Sequence, residues 1–175
     1  QHGRLVRGRV GRHTGAARKI PFDRTHERAI LKLFKRQARP YLSHTPSTDC
    51  EWLAVAQHHG MHTRLLDWTE SLFVAAYSAV IQAGVNGPAV IVGVRDVPEI
   101  SQREENAPLD LKRVAVVYRP PHIAPRIPAQ RSVFTVHADP TKEFRPAGMV
   151  RWRVSKDACW KIKRMLDSAA INEST

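Results

Sequence analysis

The chain has 175 residues, 42% of them hydrophobic and 25% charged, with a formal net charge of +12. This is the size and composition of one soluble domain large enough to bury a core. No apolar run approaches a membrane span or a signal-peptide core, and Cys50 and Cys159 make neither a disulfide framework nor a zinc spacing. A reducing, cytoplasmic setting follows as the default. The first residue is Gln rather than Met, so a fragment or a processed product is expected.

The charge is uneven. Residues 1–39 hold 12 Lys and Arg against Asp23 and Glu27, a net of +10. Such a concentration draws anions: nucleic acid, nucleotide or acidic lipid. A solvated helix face plus a tail explains it equally well.

In chain order, "RLVRG" predicts a short strand ending at Gly8, and the Gly- and Pro-punctuated stretch to Pro21 predicts a loop. Residues 24–39 predict a helix with the stripe Ile30, Leu33, Phe34 and Ala38, stopped by Pro40. Ser47, Thr48 or Asp49 caps a second helix that ends near Gly60, with Trp52, Val55, Ala56 and His59 on its apolar face. "MHTRLLDWT" predicts a strand. Its alternation sets Thr63, Leu65, Asp67 and Thr69 on one side and Arg64, Leu66 and Trp68 on the other. Thr69 caps a helix over about 70–82 with the stripe Phe73, Ala76, Tyr77 and Val80. "PAVIVGV", "VAVVY", "SVFTVHA" and "GMVRWRVS" predict strands. "PEISQREENAPLD" predicts a loop or one short helix, and Ser155 caps a closing helix. The order predicts a single α+β domain over 1–175, with a mixed or split sheet and flanking helices.

"AQHHGMHTRLLDWTES", residues 56–71, is the densest stretch of polar chemistry. His58 and His59 point about 100° apart on a helix and do not share an ion, so no metal is expected. No nucleophile elbow, phosphate-cradling loop or dinucleotide fingerprint is present. Arg64 and Asp67 fall on opposite faces and need separate partners: a carboxylate or backbone carbonyls for Arg64, and a loop or a ligand for Asp67. Leu65 and Leu66 are expected in the core.

"EWLAVAQHHGMHTRLLDWTESLFVAAYSAV" resembles the signature of the FRG domain family, Gln-His-x-Gly-x-x-Thr-Arg-Leu-Leu-Asp-Trp-Thr followed by a helix rich in Val and Ala. The family's early Phe-Arg-Gly is Val6-Arg7-Gly8 here. Its later Arg-Ile-x-x-Gln followed by Phe-Thr resembles "RIPAQRSVFT", residues 126–135. The resemblance spans residues 5–137, with 138–175 as a C-terminal strand and helix.

The order of these motifs also resembles that of ADP-ribosyltransferases, which implies a split sheet that binds NAD as substrate. The resemblance puts Arg7, Gly8, Thr63, Arg64 and Thr69 at the dinucleotide. Asp67, His58, His59 and Gln130 then stand as catalytic candidates. The transferases carry Glu where this chain has Gln130, and a neutral amide binds a ribose hydroxyl but is no base. A histidine titrating near neutrality is the alternative base. The implied function is modification of a macromolecule, DNA or RNA, held by Arg4, Arg9, Arg12, Arg18 and Lys19. A bacterial toxin or phage-defence effector with an antitoxin or regulatory partner, and no membrane partner, fits that chemistry. Two other readings remain open: a non-catalytic basic nucleic-acid-binding module, and a metal-independent nuclease using His58 or His59.

Overall fold

The structure is a computed structural model and describes residues 5–10, 23–81, 89–121 and 132–169. Its strands are β1 (Leu5–Val10), β2 (Leu65–Thr69), β3 (Ala89–Val94), β4 (Ala115–Tyr118), β5 (Ser132–His137) and β6 (Val150–Val154). Its helices are α1 (Arg24–Ala38), α2 (Asp49–His58), α3 (Leu72–Ile81), α4 (Gln102–Asn106) and α5 (Lys156–Ser168). Among the described residues no helix is long and apolar enough to cross a membrane.

The six strands form one open sheet in the order β4-β5-β2-β1-β3-β6. Among the described residues every strand pair is antiparallel, which corrects the expectation of a mixed sheet. The only parallel contact among the described residues is the isolated bridge of Glu99 with Val117. β1 stays in register with β3 from Leu5–Val94 to Val10–Ala89, and β2 with β5 from Leu65–Val136 to Thr69–Ser132. Among the described residues, β1 and β2 share a single partnership, Val6 opposite Thr69. The sheet is thus two three-stranded halves joined at one point.

Alternation sorts the side chains into three packed groups. On one face, α1 and α2 bury Leu31, Cys50, Trp52 and Leu53 against Leu65, Val116, Phe134 and Val136 of the β4-β5-β2 half. On the same face, α3 and α5 bury Ala75, Ala79 and Cys159 against Val6, Ile91 and Val154 of the other half. The opposite face joins the halves, with Leu5, Leu66, Trp68, Val92 and Val133 under Val97 and Phe144. The helix-bearing face therefore has a furrow between its two helix pairs, directly over the seam.

Several sequence expectations shift. Ile30 and Leu33 are 37% and 43% exposed, and the inward stripe of α1 is Glu27, Leu31, Phe34 and Ala38. Asp23 caps that helix, and Pro40 sits inside a short 3-10 turn after it. α2 is buried almost all round, but His59 is exposed rather than on an apolar face. α3 turns Ala75, Ala79 and Val80 inward and leaves Phe73 62% exposed. Small side chains let the helix lie close on β1, so its contact face is set by size as well as polarity. β2 begins at Leu65, four residues later than the alternation suggested. Thr48 and Ser155 cap α2 and α5 as expected.

α2 ends in a hydrogen-bonded reversal. Met61 N–H donates to Ala56 O and Gly60 N–H to Gln57 O, both at 2.9 Å, and Gly60 has φ +83°. This is a Schellman turn, which needs a left-handed residue after the helix. Nothing lies within 4 Å of where a Gly60 side chain would start. Gly60→Ala is therefore expected to cost about 1 kcal/mol through backbone strain alone. Chemical unfolding checks this, and a neutral result would contradict the assignment.

Candidate functional site

The turn at Gly60 returns the chain along α2 and brings Thr63 beneath Gln57. Thr63 Oγ1 accepts from Leu65 N–H at 3.1 Å and donates its own proton to Gln57 Oε1. That fixes the Gln57 amide, whose Nε2 then donates to Asp67 Oδ1 at 2.9 Å. Thr63 is buried and Gln57 half-buried, while Asp67 is exposed at the furrow. Gln57 is the residue that sequence reasoning missed. It stands in the quoted motif, but its role appears only once the turn places it across from Asp67.

Arg64, expected at the dinucleotide, is fully buried behind this group. Its Nε donates to Glu27 Oε1 at 3.0 Å and its Nη2 pairs with Glu27 Oε2. Its Nη1 donates to Pro108 O at 3.0 Å and His137 O at 3.1 Å. The guanidinium thus ties α1, the turn before β4 and the end of β5 to the start of β2. It is architecture, held by both partner types that the sequence allowed, and is removed from the cofactor-binding set.

Trp68 faces the other way. Its Nε1 donates to Thr135 Oγ1 at 2.9 Å, and Thr135 Oγ1 lies 2.7 Å from His137 Nε2. Thr135 Oγ1 carries one proton and two lone pairs, so while accepting from Trp68 it can bond either tautomer of His137. Burial, aided by the nearby Arg64 charge, pushes His137 down to about 4. An unfolded histidine titrates near 6.5, so between about 6.5 and 4 the unfolded chain takes up the proton and the folded one does not. The stability from neutral His137 is complete above about pH 6.5 and is lost as pH falls through about 4, a swing of about 3 kcal/mol. Unfolding free energies from pH 7 to 4 should fall faster for the native chain than for His137→Gln. Parallel curves would contradict it.

Across the seam, Arg7 Nη1 donates to Asp67 O at 3.2 Å. Among the described residues β1 meets β2 in register at Val6, and the Arg7 side chain spans the strands beyond it. Here lies a cleft of about 250 Å³, lined by Val6, Arg7, Asp67, Thr69, Ser78 and Ser132, with Trp68, Val74 and Ala75 completing the wall. Thr69 Oγ1 accepts from Ser71 N–H at 3.0 Å, and Ser71 Oγ rather than Thr69 accepts from Val74 N–H in the first turn of α3. The expected helix cap thus shifts two residues on.

Of the candidate site residues, Arg7, Asp67 and Thr69 share this cleft, and Thr63 supports it from behind. His58 and His59 are exposed at the end of α2, edge to face at 5.3 Å, and neither lines the cleft. Gly8 and Arg9 lie on β1 opposite Ile91 and Val90. Gln130, Arg4, Arg12, Arg18 and Lys19 lie outside the described residues.

With the geometry in place, the comparison with known families is decisive for the motif: residues 5–86 match the sequence model of the FRG domain. The chain carries an FRG domain. The match includes β1, the Gly60 turn, β2 and α3, and so contains both sides of the seam. The stretch 126–135 lies beyond the matched residues. No curated protein and no solved structure matches the chain. Within the FRG signature, Gly60, Arg64 and Trp68 build the fold, Gln57 and Thr63 orient one carboxylate, and Asp67 and Thr69 face the cleft.

Proposed function

We propose that this FRG domain is an ADP-ribosyltransferase-like enzyme that takes NAD at the sheet seam and modifies a macromolecule, with nucleic acid as acceptor. The observation that carries the reading is the split itself. Among the described residues one registered pair joins two half-sheets, and the cleft over it gathers Arg7, Asp67 and Thr69 from the two motifs that flank it. At about 250 Å³ the cleft suits the nicotinamide–ribose half of a dinucleotide, just under the roughly 300 Å³ at which whole drug-sized sites begin.

The residues fit that half. Arg7 offers a planar fork of donors that suits a diphosphate, and its Nη1, which donates to Asp67 O at 3.2 Å, reaches the cleft. Ser78 and Ser132 supply hydroxyls to the lining. NAD brings a glycosidic bond whose cleavage gives nicotinamide the bonding electron pair and leaves a cationic sugar carbon. Asp67, an exposed carboxylate oriented by Gln57, places negative charge where that carbon would lie. An acceptor nucleophile then forms the new bond to this carbon and loses its proton to Asp67 or water.

The test is incubation with NAD and chromatographic detection of free nicotinamide, with and without single-stranded DNA or RNA. Release that rises with nucleic acid is expected. No release under any condition, together with no NAD-dependent shift in melting temperature, would overturn the reading.

A further inference from the structure

We propose that the exposed face of α5 is a single-stranded nucleic-acid-binding surface, with Trp160 as its stacking platform. α5 buries Cys159 and Leu166, with Ala158 and Ile162 partly buried, against α3 and the β1-β3-β6 half-sheet. Its other side carries Lys156, Trp160, Lys163 and Arg164 at positions i, i+4, i+7 and i+8, which is one helical face, with Lys161 beside them.

Trp160 is 64% exposed. A tryptophan is mostly covered in a folded domain, and an uncovered one set among cations has the composition of a stacking site. Arg28, Arg113, Arg119 and Arg145 each lie against a carboxylate. Lys156, Lys161, Lys163 and Arg164 form no ion pair among the described residues. Asp157 and Asp167 share the helix and leave it a net positive charge.

A strand of nucleic acid offers both features that this face complements, a flat base for the indole and phosphates for the flanking cations. A membrane surface is the poorer match. An interfacial helix sinks a contiguous apolar stripe into lipid, and the apolar stripe of α5 is already spent on the core. The surface is separate from the seam cleft, and its binding needs no NAD, so it stands whether or not the cleft takes that substrate.

The experiment is fluorescence anisotropy with labelled single-stranded DNA and RNA of about 16 nucleotides, without NAD, on the full chain. Trp160→Ala should weaken binding at least about tenfold. The paired change Lys161→Glu with Arg164→Glu should weaken it and flatten the dependence of log affinity on log salt by about 1.4, or 0.7 per lost contact. Intrinsic tryptophan fluorescence should be quenched on binding, and Trp160→Phe should keep most of the affinity while losing most of the quench. All these side chains are exposed or half-buried, so melting temperatures should hold, and the Phe variant keeps the test sound if the Ala variant unfolds. Affinity unchanged within twofold in Trp160→Ala and in the charge-reversed chain would overturn the proposal and place the strand elsewhere, with residues 4–19 the next candidates. Binding to phosphatidylserine vesicles with none to either oligonucleotide would overturn it in favour of a membrane surface.

Discussion

Arg64→Ala is expected to lower the unfolding free energy by about 3–5 kcal/mol, the range for stranding one member of a buried ion pair. The guanidinium is fully buried, and the Glu27 side chain opposite it is only 13% exposed. Removing Arg64 leaves that carboxylate without its charge partner and deprives Pro108 O and His137 O of a donor. Each orphaned buried acceptor adds about 1–3 kcal/mol in its own right, with partial overlap. The double change Arg64→Met with Glu27→Leu should recover much of the loss, because apolar replacement of a whole buried pair is often close to neutral. Urea unfolding of the three variants checks this. A loss under about 1 kcal/mol in Arg64→Ala would show that water already reaches the pair.

Asp67→Asn is expected to behave in the opposite manner: a stability change within about 0.5 kcal/mol, as for a surface substitution, and a loss of NAD cleavage of at least about a hundredfold. Asp67 is exposed, and an Asn oxygen can still accept from Gln57 Nε2 in the same geometry. The substitution removes only the charge, the property that the proposed chemistry uses. Melting curves beside a nicotinamide-release assay separate the two effects. If Asp67→Asn unfolds the chain as severely as Arg64→Ala, Asp67 is architecture, and Arg7 is the charged lining residue that remains among the described ones.

The contrast between these neighbours marks what the sequence could convey. Alternation along "LLDWT" correctly set Asp67 apart from Leu66 and Trp68, and the need for a buried cation to be paired correctly foretold carbonyls and a carboxylate around Arg64. Which carboxylate was not legible. Glu27 sits on the inward stripe of α1, and a pattern that counts charge as outward reads that stripe rotated, toward Ile30 and Leu33. α3 misled in a related way, because close approach to β1 selects its alanines over Phe73. His58 and His59 are the titratable side chains of that run, yet the member that reaches the cleft carboxylate is the neutral Gln57, placed by the turn at Gly60. Nor does any local pattern announce the seam. It depends on how far β1 and β2 stay paired, a relation between segments some 60 residues apart.

The most direct measurement of the central claim is isothermal titration of NAD into the native chain, Arg7→Ala and the paired Lys161→Glu, Arg164→Glu variant. If the seam cleft takes the dinucleotide with Arg7 on its diphosphate, NAD binds the native chain. It should bind Arg7→Ala at least about tenfold more weakly, the loss of one charge-assisted contact, and bind the α5 variant as tightly as the native chain. NAD that binds the native chain and Arg7→Ala equally, or that fails to bind the native chain at millimolar concentration, would contradict the assignment of the seam as a dinucleotide site.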